Sequence, residues 1–216
     1  MSSSVFDRIA PSWYNYRHYT IFRPELESLS ARWQKGKLVN LGCGHGADFL
    51  PFAKYDFELY GVDYSGEMLR LAGEYARKFK FAVNLFRADV SCLPFADNVF
   101  DYAISVATFH HLTTPEARKR AFTELYRIIK PGGEAFVTVW NKMQPRFLLS
   151  PKEVQVPWRM KGETLFRYYY LFTYGEFERL AKDAGFTVLK SSPEKTYHFP
   201  LKYFSRNIVL KLKKPI

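Results

Sequence analysis

The sequence is short of cysteine, short of acid and free of any long apolar run, and each shortage removes a class of protein. Two cysteines, Cys43 and Cys92, cannot make a disulfide framework in 216 residues, and no Cys/His spacing suits a structural zinc site. No apolar stretch approaches the roughly 18 residues of a membrane-crossing helix, and Met1 to Arg17 lacks an apolar core of signal-peptide length. No internal repeat or low-complexity segment is visible. A soluble cytoplasmic chain with no resident metal and no membrane association is expected. Hydrophobic residues at 47% and charged residues at 25% exclude a disordered chain, and at this length a single core needs no staples.

The shortage of acid has a positive side. Asp and Glu number 21 against 32 Lys and Arg, a formal net charge of +11, and aromatics make up 18% of the chain. A basic surface interleaved with aromatics fits a polyanion that offers flat bases to stack on, namely RNA or single-stranded nucleic acid. The basic, aromatic-rich composition of a heat-adapted protein fits the same numbers equally.

Periodicity orders the chain. Leu26, Leu29 and Trp33 predict a helix over 25–33, inside an N-terminal helical segment over 1–36. A strand over 38–41 runs into Gly42-Cys43-Gly44-His45-Gly46, followed by a helix over 48–54. Further strands are predicted over 57–62, 81–86, 100–106 and 135–140, with helices over 66–79 and 115–129 between them. This alternation implies a mostly parallel sheet with helices on both faces. After a helix over 175–184, strands over 186–190 and 207–212 have no helix between them. They predict a C-terminal antiparallel hairpin and a seven-stranded α/β fold. Residues 141–172 break the pattern with three prolines, the run Phe166-Arg167-Tyr168-Tyr169-Tyr170, and six basic residues against two acids. An irregular, substrate-facing insertion is expected there, within one domain over 1–216.

Strand, glycine-rich turn and helix set backbone N–H groups and a positive helix end beside a ligand. Gly42-x-Gly44-x-x-Ala47 followed by Asp63 also satisfies a dinucleotide fingerprint, so a nicotinamide cofactor competes. Three features favour an adenosine ligand without phosphate. The glycines alternate at Gly42, Gly44 and Gly46. A second acid, Asp89, closes the third strand, where it could read adenine while Asp63 grips the ribose. The sheet ends in a hairpin, not in a second mononucleotide half.

The segments Leu38-Val39-Asn40-Leu41-Gly42-Cys43-Gly44-His45-Gly46, Gly61-Val62-Asp63-Tyr64-Ser65, Ala88-Asp89 and Lys130-Pro131-Gly132-Gly133 resemble the ordered motifs of class I S-adenosylmethionine-dependent methyltransferases. Asn40 departs from the pattern, since the family usually has an acid there. Ile104 to Leu112, Val139 to Gln144, Val156-Pro157-Trp158, Arg167 to Phe172 with Gly175-Glu176-Phe177, and the N-terminal Phe6-Asp7-Arg8-Ile9-Ala10 and Tyr16-Arg17 resemble a narrower group, the tRNA wobble-uridine carboxymethyl methyltransferases. That group includes the methyltransferase domain fused to an AlkB-type tRNA hydroxylase. Arg23-Pro24 in place of Trp-Pro and Tyr170 in place of His are departures.

The resemblance implies S-adenosyl-L-methionine as cofactor and the tRNA anticodon loop, not DNA, as partner. A small zinc-containing activator subunit is also implied. The implied reaction is methyl esterification of 5-carboxymethyluridine at the wobble position. The implied cofactor contacts are Arg17, Asn40, Gly42, Gly44, Asp63, Tyr64, Met68, Asp89, Val90, Val106 and His111; the implied catalytic residues are Arg17, His110 and Arg167. An ionised carboxylate needs no general base, so arginines that align it suit the chemistry. Trp140, Trp158, Tyr168 and Tyr169 are candidates to stack a splayed base. The seven basic residues after position 189 could bind phosphate or protect a sheet edge. A small-molecule O- or C-methyltransferase shares every motif through Pro131. A non-catalytic RNA-binding subunit on the same fold is the reading from another class.

Overall fold

The computed structural model describes residues 3–216. Helices α1 (Ser3–Tyr16) and α2 (Arg23–Trp33) precede strand β1 (Lys35–Leu41). Then follow β2 (Asp56–Asp63), α3 (Gly66–Phe79), β3 (Asn84–Arg87), β4 (Phe100–Val106), α4 (Pro115–Ile128) and β5 (Ile129–Trp140). The remainder is β6 (Glu153–Met160), β7 (Glu163–Tyr170), α5 (Tyr174–Asp183), β8 (Thr187–Ser192) and β9 (Asn207–Lys213). Seven strands form one sheet in the order β3-β2-β1-β4-β5-β9-β8. The first five run parallel, and β9 is antiparallel to both β5 and β8.

Both faces of the sheet are buried, as a parallel sheet requires. On one face Ala121, Phe122, Leu125 and Ile128 of α4 and Phe177 and Ala181 of α5 pack on Val39, Leu41, Val137 and Leu210. On the other, Leu26, Leu29 and Trp33 of α2 pack on Leu38, Ile104, Phe136 and Val209. The capping chemistry is local. Ser65 and Thr114 accept from Met68 N and Ala117 N at the starts of α3 and α4, and Pro115 sits where a helix lacks N–H acceptors anyway.

Four expectations change. The predicted helix over 48–54 is a single 3-10 turn, Ala47–Phe49, followed by turns. Pro51 has no N–H with which to continue an α-helical ladder. Pro131-Gly132-Gly133 does not precede the fifth strand but lies inside it: pairing with β4 jumps from Ile129–Phe100 to Glu134–Tyr102, and Gly132 turns out at φ 80°. The third strand is shorter than predicted, with four residues.

Residues 141–172 are not irregular. They contain the separate hairpin β6–β7, turning at Gly162 with φ 87°. Their period-2 pattern (Val154, Val156, Trp158, then Leu165, Arg167, Tyr169) is obscured in the sequence because the outward positions are aromatic too.

Helix α1 closes the structure over the sheet's C-terminal edge. Ile9 and Ala10 pack on Met68 and Leu71 of α3 and on Leu165 of β7. Asp7 accepts hydrogen bonds from Ser65 Oγ and from Glu67 N (3.1 Å), pinning α1 to the start of α3. Asp7→Ala should therefore cost about 1–2 kcal/mol, for one half-buried acceptor with two donors. That corresponds to a fall of a few degrees in melting temperature, read by calorimetry. An unchanged melting temperature would assign the attachment of α1 to apolar contacts alone.

Candidate active site

The C-terminal ends of β1, β2, β4 and β5 open into a cavity of about 530 Å³, roofed by α1 and the β6–β7 hairpin. Its floor is the glycine turn. Gly42 N and Cys43 N both donate to Val62 O (2.7 and 2.9 Å), and Gly44 N donates to Asp63 Oδ2 (2.8 Å). Gly42 has φ 74°, and a Cβ there would stand 2.2 Å from Thr108 Oγ1, so no other residue fits. At Gly44 a Cβ would meet nothing within 4 Å, which leaves its backbone open to a ligand. Asp63 also accepts from Ser65 N (2.9 Å). Burial pushes its pKa up while those N–H groups act against the rise.

Of the residues expected from the sequence, Arg17, Gly42, Gly44, Asp63, Tyr64, Met68, Val90, Val106, His110, His111 and Arg167 line this one cavity. Two do not. Asn40 is fully buried behind the turn, with neither amide atom hydrogen-bonded. Asp89 is turned away: its Oδ1 accepts from Ser91 N (2.8 Å) and Ser91 Oγ (2.7 Å), and the wall there is made by Ala88 and Val90. The aromatics divide by strand parity. Trp140, Trp158 and Tyr169 face the cavity, whereas Tyr168 points to the other side of β7 and donates to Thr113 O. Cys43 is buried, and desolvation holds its pKa well above the ordinary thiol value, so no thiolate is on offer.

Both histidines are held neutral. Trp140 N donates to His110 Nδ1 (3.1 Å), which places the His110 proton on the buried, unpartnered Nε2. His111 Nδ1 donates to Tyr168 O (2.9 Å). Burial drives His110 well below the usual range and His111 to about 4. Neither is tuned as a base for neutral pH.

The arginines are the reverse case, charged and without counter-ions. Arg167 is 6% exposed, donates to Tyr169 Oη (2.9 Å), and has a buried Nε with no partner. Its guanidinium lies 5.0 Å from the Trp158 ring and 5.5 Å from that of Trp13. Arg17 sits over Trp13 at 5.0 Å. Three further arginines stand on the cavity wall: Arg146 and Arg159, two of the six basic residues counted over 141–172, and Arg206, which with the acid Asp48 was not singled out as a site residue from the sequence. Arg206 arrives from the far end of the chain because Asn141 N donates to its carbonyl (3.0 Å), a contact no local pattern announces. Among the described residues, Arg17, Arg146, Arg159, Arg167 and Arg206 form no ion pair.

Other basic side chains expected to face phosphate serve the fold. Lys142 Nζ caps Phe147 O and Leu148 O, Lys152 pairs with Glu176, and Lys214 Nζ binds Asn98 Oδ1 and Tyr126 O. Among the described residues no group of three His, Cys, Asp or Glu side chains could hold a metal, and no helix is long and apolar enough to cross a membrane.

The methyltransferase domain pattern matches residues 39–137. A protein named as a methyltransferase from Encephalitozoon cuniculi is 32% identical over 188 residues, covering 82% of each chain. This chain is a class I S-adenosylmethionine-dependent methyltransferase. The methyltransferase is also similar to the tRNA (carboxymethyluridine(34)-5-O)-methyltransferases of Schizosaccharomyces pombe and Xenopus tropicalis. The first is 26% identical over 86% of this chain and 88% of that protein; the second is 33% identical over 71% and 24%. The chain spans only a quarter to a third of several such relatives. A solved S-adenosylmethionine-dependent methyltransferase from Clostridium acetobutylicum shares the fold with a TM-score of 0.74 at 14% identity, over 90% of this chain and 91% of that one. The open backbone at Gly44 beside a half-buried, backbone-held Asp63 fits the cofactor's adenosyl group.

The neutral histidines set a pH dependence of stability. His45 and His111, both near pKa 4, and His110 titrate below their unfolded value of about 6.5. The unfolded chain therefore takes up these protons first, and the stability they contribute above pH 6.5 is lost as pH falls toward 4. Asp48, raised to about 6 in the fold, and Asp63, also raised by burial, act oppositely, but they are two groups against three. The melting temperature should fall by several degrees from pH 7 to pH 4.5, and His111→Gln should make that fall shallower. A slope identical in the variant would contradict the burial of a neutral ring.

Proposed function

We propose that this methyltransferase acts on tRNA and esterifies the 5-carboxymethyl group of the wobble uridine in the anticodon. The observation behind the reading is the cluster of unpaired guanidinium groups around the cavity, with Arg167 desolvated at its centre. A buried cation without a counter-ion is costly unless a ligand brings the opposite charge. Its planar fork suits a carboxylate. The relatives named for carboxymethyluridine in tRNA support the same acceptor. The reading carries with it the small activator subunit that resemblance implies.

The cofactor supplies a methyl group made electrophilic by the positive sulfur that carries it. Everything else falls to the protein. Asp63 and the turn from Gly42 to Gly44 hold the adenosyl portion, with Tyr64, Met68 and Val90 beside it. Arg167, oriented by Tyr169 and wedged among Trp13 and Trp158, aligns the acceptor carboxylate, while Arg17, just after α1, lies over the Trp13 ring on the cofactor side. A carboxylate with a pKa of about 4 is ionised already, so the neutral state of His110 and His111 costs nothing in rate. Trp140, stacked on Tyr169 at 4.3 Å, extends an aromatic wall on which a base can lie.

Incubation with undermethylated tRNA and S-adenosylmethionine, followed by mass spectrometry of the wobble nucleosides, should yield the methyl ester; methyl appearing on a ring atom or ribose instead would refute the acceptor. Arg167→Lys keeps the charge but loses the fork, so tRNA should still bind while single-turnover rate drops on the order of a hundredfold. Asp63→Ala should weaken cofactor binding at least tenfold, roughly the value of one charged hydrogen bond. It should also lower the melting temperature, because Gly44 N and Ser65 N lose their acceptor. Wild-type affinity in a calorimetric titration would disprove the ribose assignment.

A further inference from the structure

Asp48 and Asp63 are the only acids among the residues lining the cavity, and nothing said so far uses Asp48. It stands on the 3-10 turn after the glycines, and like Asp63 it is close enough to Cys43 to raise that thiol's pKa. Neither of its oxygens has a hydrogen bond of ordinary geometry or a cation within 4 Å among the described residues. Around it converge Arg17 and Thr20, from the connection between α1 and α2, and Asn40 of β1. Arg17 Nε is buried with no partner, and so are both amide atoms of Asn40. Polar side chains from three separate elements thus meet close to Asp48 without a hydrogen bond of ordinary geometry between them. A buried arrangement of that kind is costly unless something with both a donor and an acceptor fills it.

The cofactor has such an end. With its adenosyl group beside Asp63, the charged portion left over is the amino-acid tail, an ammonium and a carboxylate on one carbon. We propose that Asp48 receives the α-ammonium of the cofactor's methionine tail, with the Arg17 guanidinium beside it for the α-carboxylate. The neutral amide of Asn40 is part of this arrangement. A carboxylate at position 40 as well would place two like charges in one buried corner, so the single negative charge sits on the turn and not on the strand.

Burial raises the Asp48 pKa to about 6, with Thr20, Arg17 and Asn40 opposing the rise. The other titratable groups facing this corner are Cys43, its thiol pushed well up by burial, His45, held near 4 by burial, Tyr75, pushed up to about 12, with Tyr14 and Tyr19 beside it, and His18, whose carbonyl accepts from Tyr75 Oη. Of these, His45 and Tyr75 keep their neutral forms between pH 5 and pH 7.

The test compares S-adenosylhomocysteine with 5′-methylthioadenosine, which lacks the amino-acid tail, by isothermal titration. Asp48→Asn has the shape of the protonated acid without its ability to become charged. It should weaken S-adenosylhomocysteine about tenfold or more while changing methylthioadenosine less than twofold. Equal losses for both ligands, or no loss for either, would overturn the proposal. The unaltered protein offers a second reading that does not depend on the variant folding. Its affinity for S-adenosylhomocysteine should fall from pH 7 to pH 5, where neither end of the tail titrates, while that for methylthioadenosine stays flat. His18→Gln should leave this slope in place. A flat profile for both ligands, or a slope abolished by His18→Gln, would reject Asp48 as the ammonium site.

Discussion

The site depends on how closely the turn after β1 passes between the ends of β2 and β4. Gly42 touches Thr108 on one side so tightly that a methyl group has no room, while its N–H and that of Cys43 share one carbonyl, Val62 O, on the other. This double tether fixes where Gly44 exposes its backbone and where Asp63 can accept from it. Thr108 follows Ala107, which holds a left-handed φ of 56° unusual for a residue with a side chain. That conformation is costly alone and is retained here by bonds from Ala107 N to Thr138. Three strand ends, one turn and one strained residue are thereby locked into a single geometry.

Around that floor the charges are distributed unevenly. The histidines are stripped of charge by burial, the arginines keep theirs because a guanidinium does not give up its proton, and the acids are two. The cavity is therefore positive at neutral pH without any metal. The aromatic rings that hold Arg167 favour this state, since a ring face attracts a cation while offering nothing that would neutralise it.

How much of this could be read from the sequence depended on range. The alternation of strands and helices between Leu38 and Trp140, the cap at Ser65 and the glycine turn are local signals, and they placed β1 to β4 and α3 and α4 to within a few residues, while the start of β5 lay six residues earlier than expected. Helix α1 fell inside the expected N-terminal helical segment, but Pro11, which interrupts its pattern, concealed its bounds. The β6–β7 hairpin was hidden by outward aromatics that blurred a period of two. For Tyr168 and Tyr169 a single residue of register decided which faced the cavity. Asp48 looked like an ordinary helix-start acid, and only the buried corner shared with Asn40 and Arg17 distinguishes it. Arg206 could not be found at all without knowing that β9 lies against β5.

That last pairing also bears on how the protein is made. β5 is the longest strand of the sheet, and the partner on its open edge is β9, which follows every other strand of this sheet in chain order. Until residues 207–213 have emerged, the nascent chain carries a wide, unpaired strand edge at the middle of its hydrophobic core, the kind of edge that invites pairing with a neighbour. Arg206, immediately before that same strand, reaches the cavity only when the edge is sealed. Sheet closure and completion of the cavity wall are thus one event, so a chain caught half-folded presents an aggregation-prone edge and an incomplete cavity wall together.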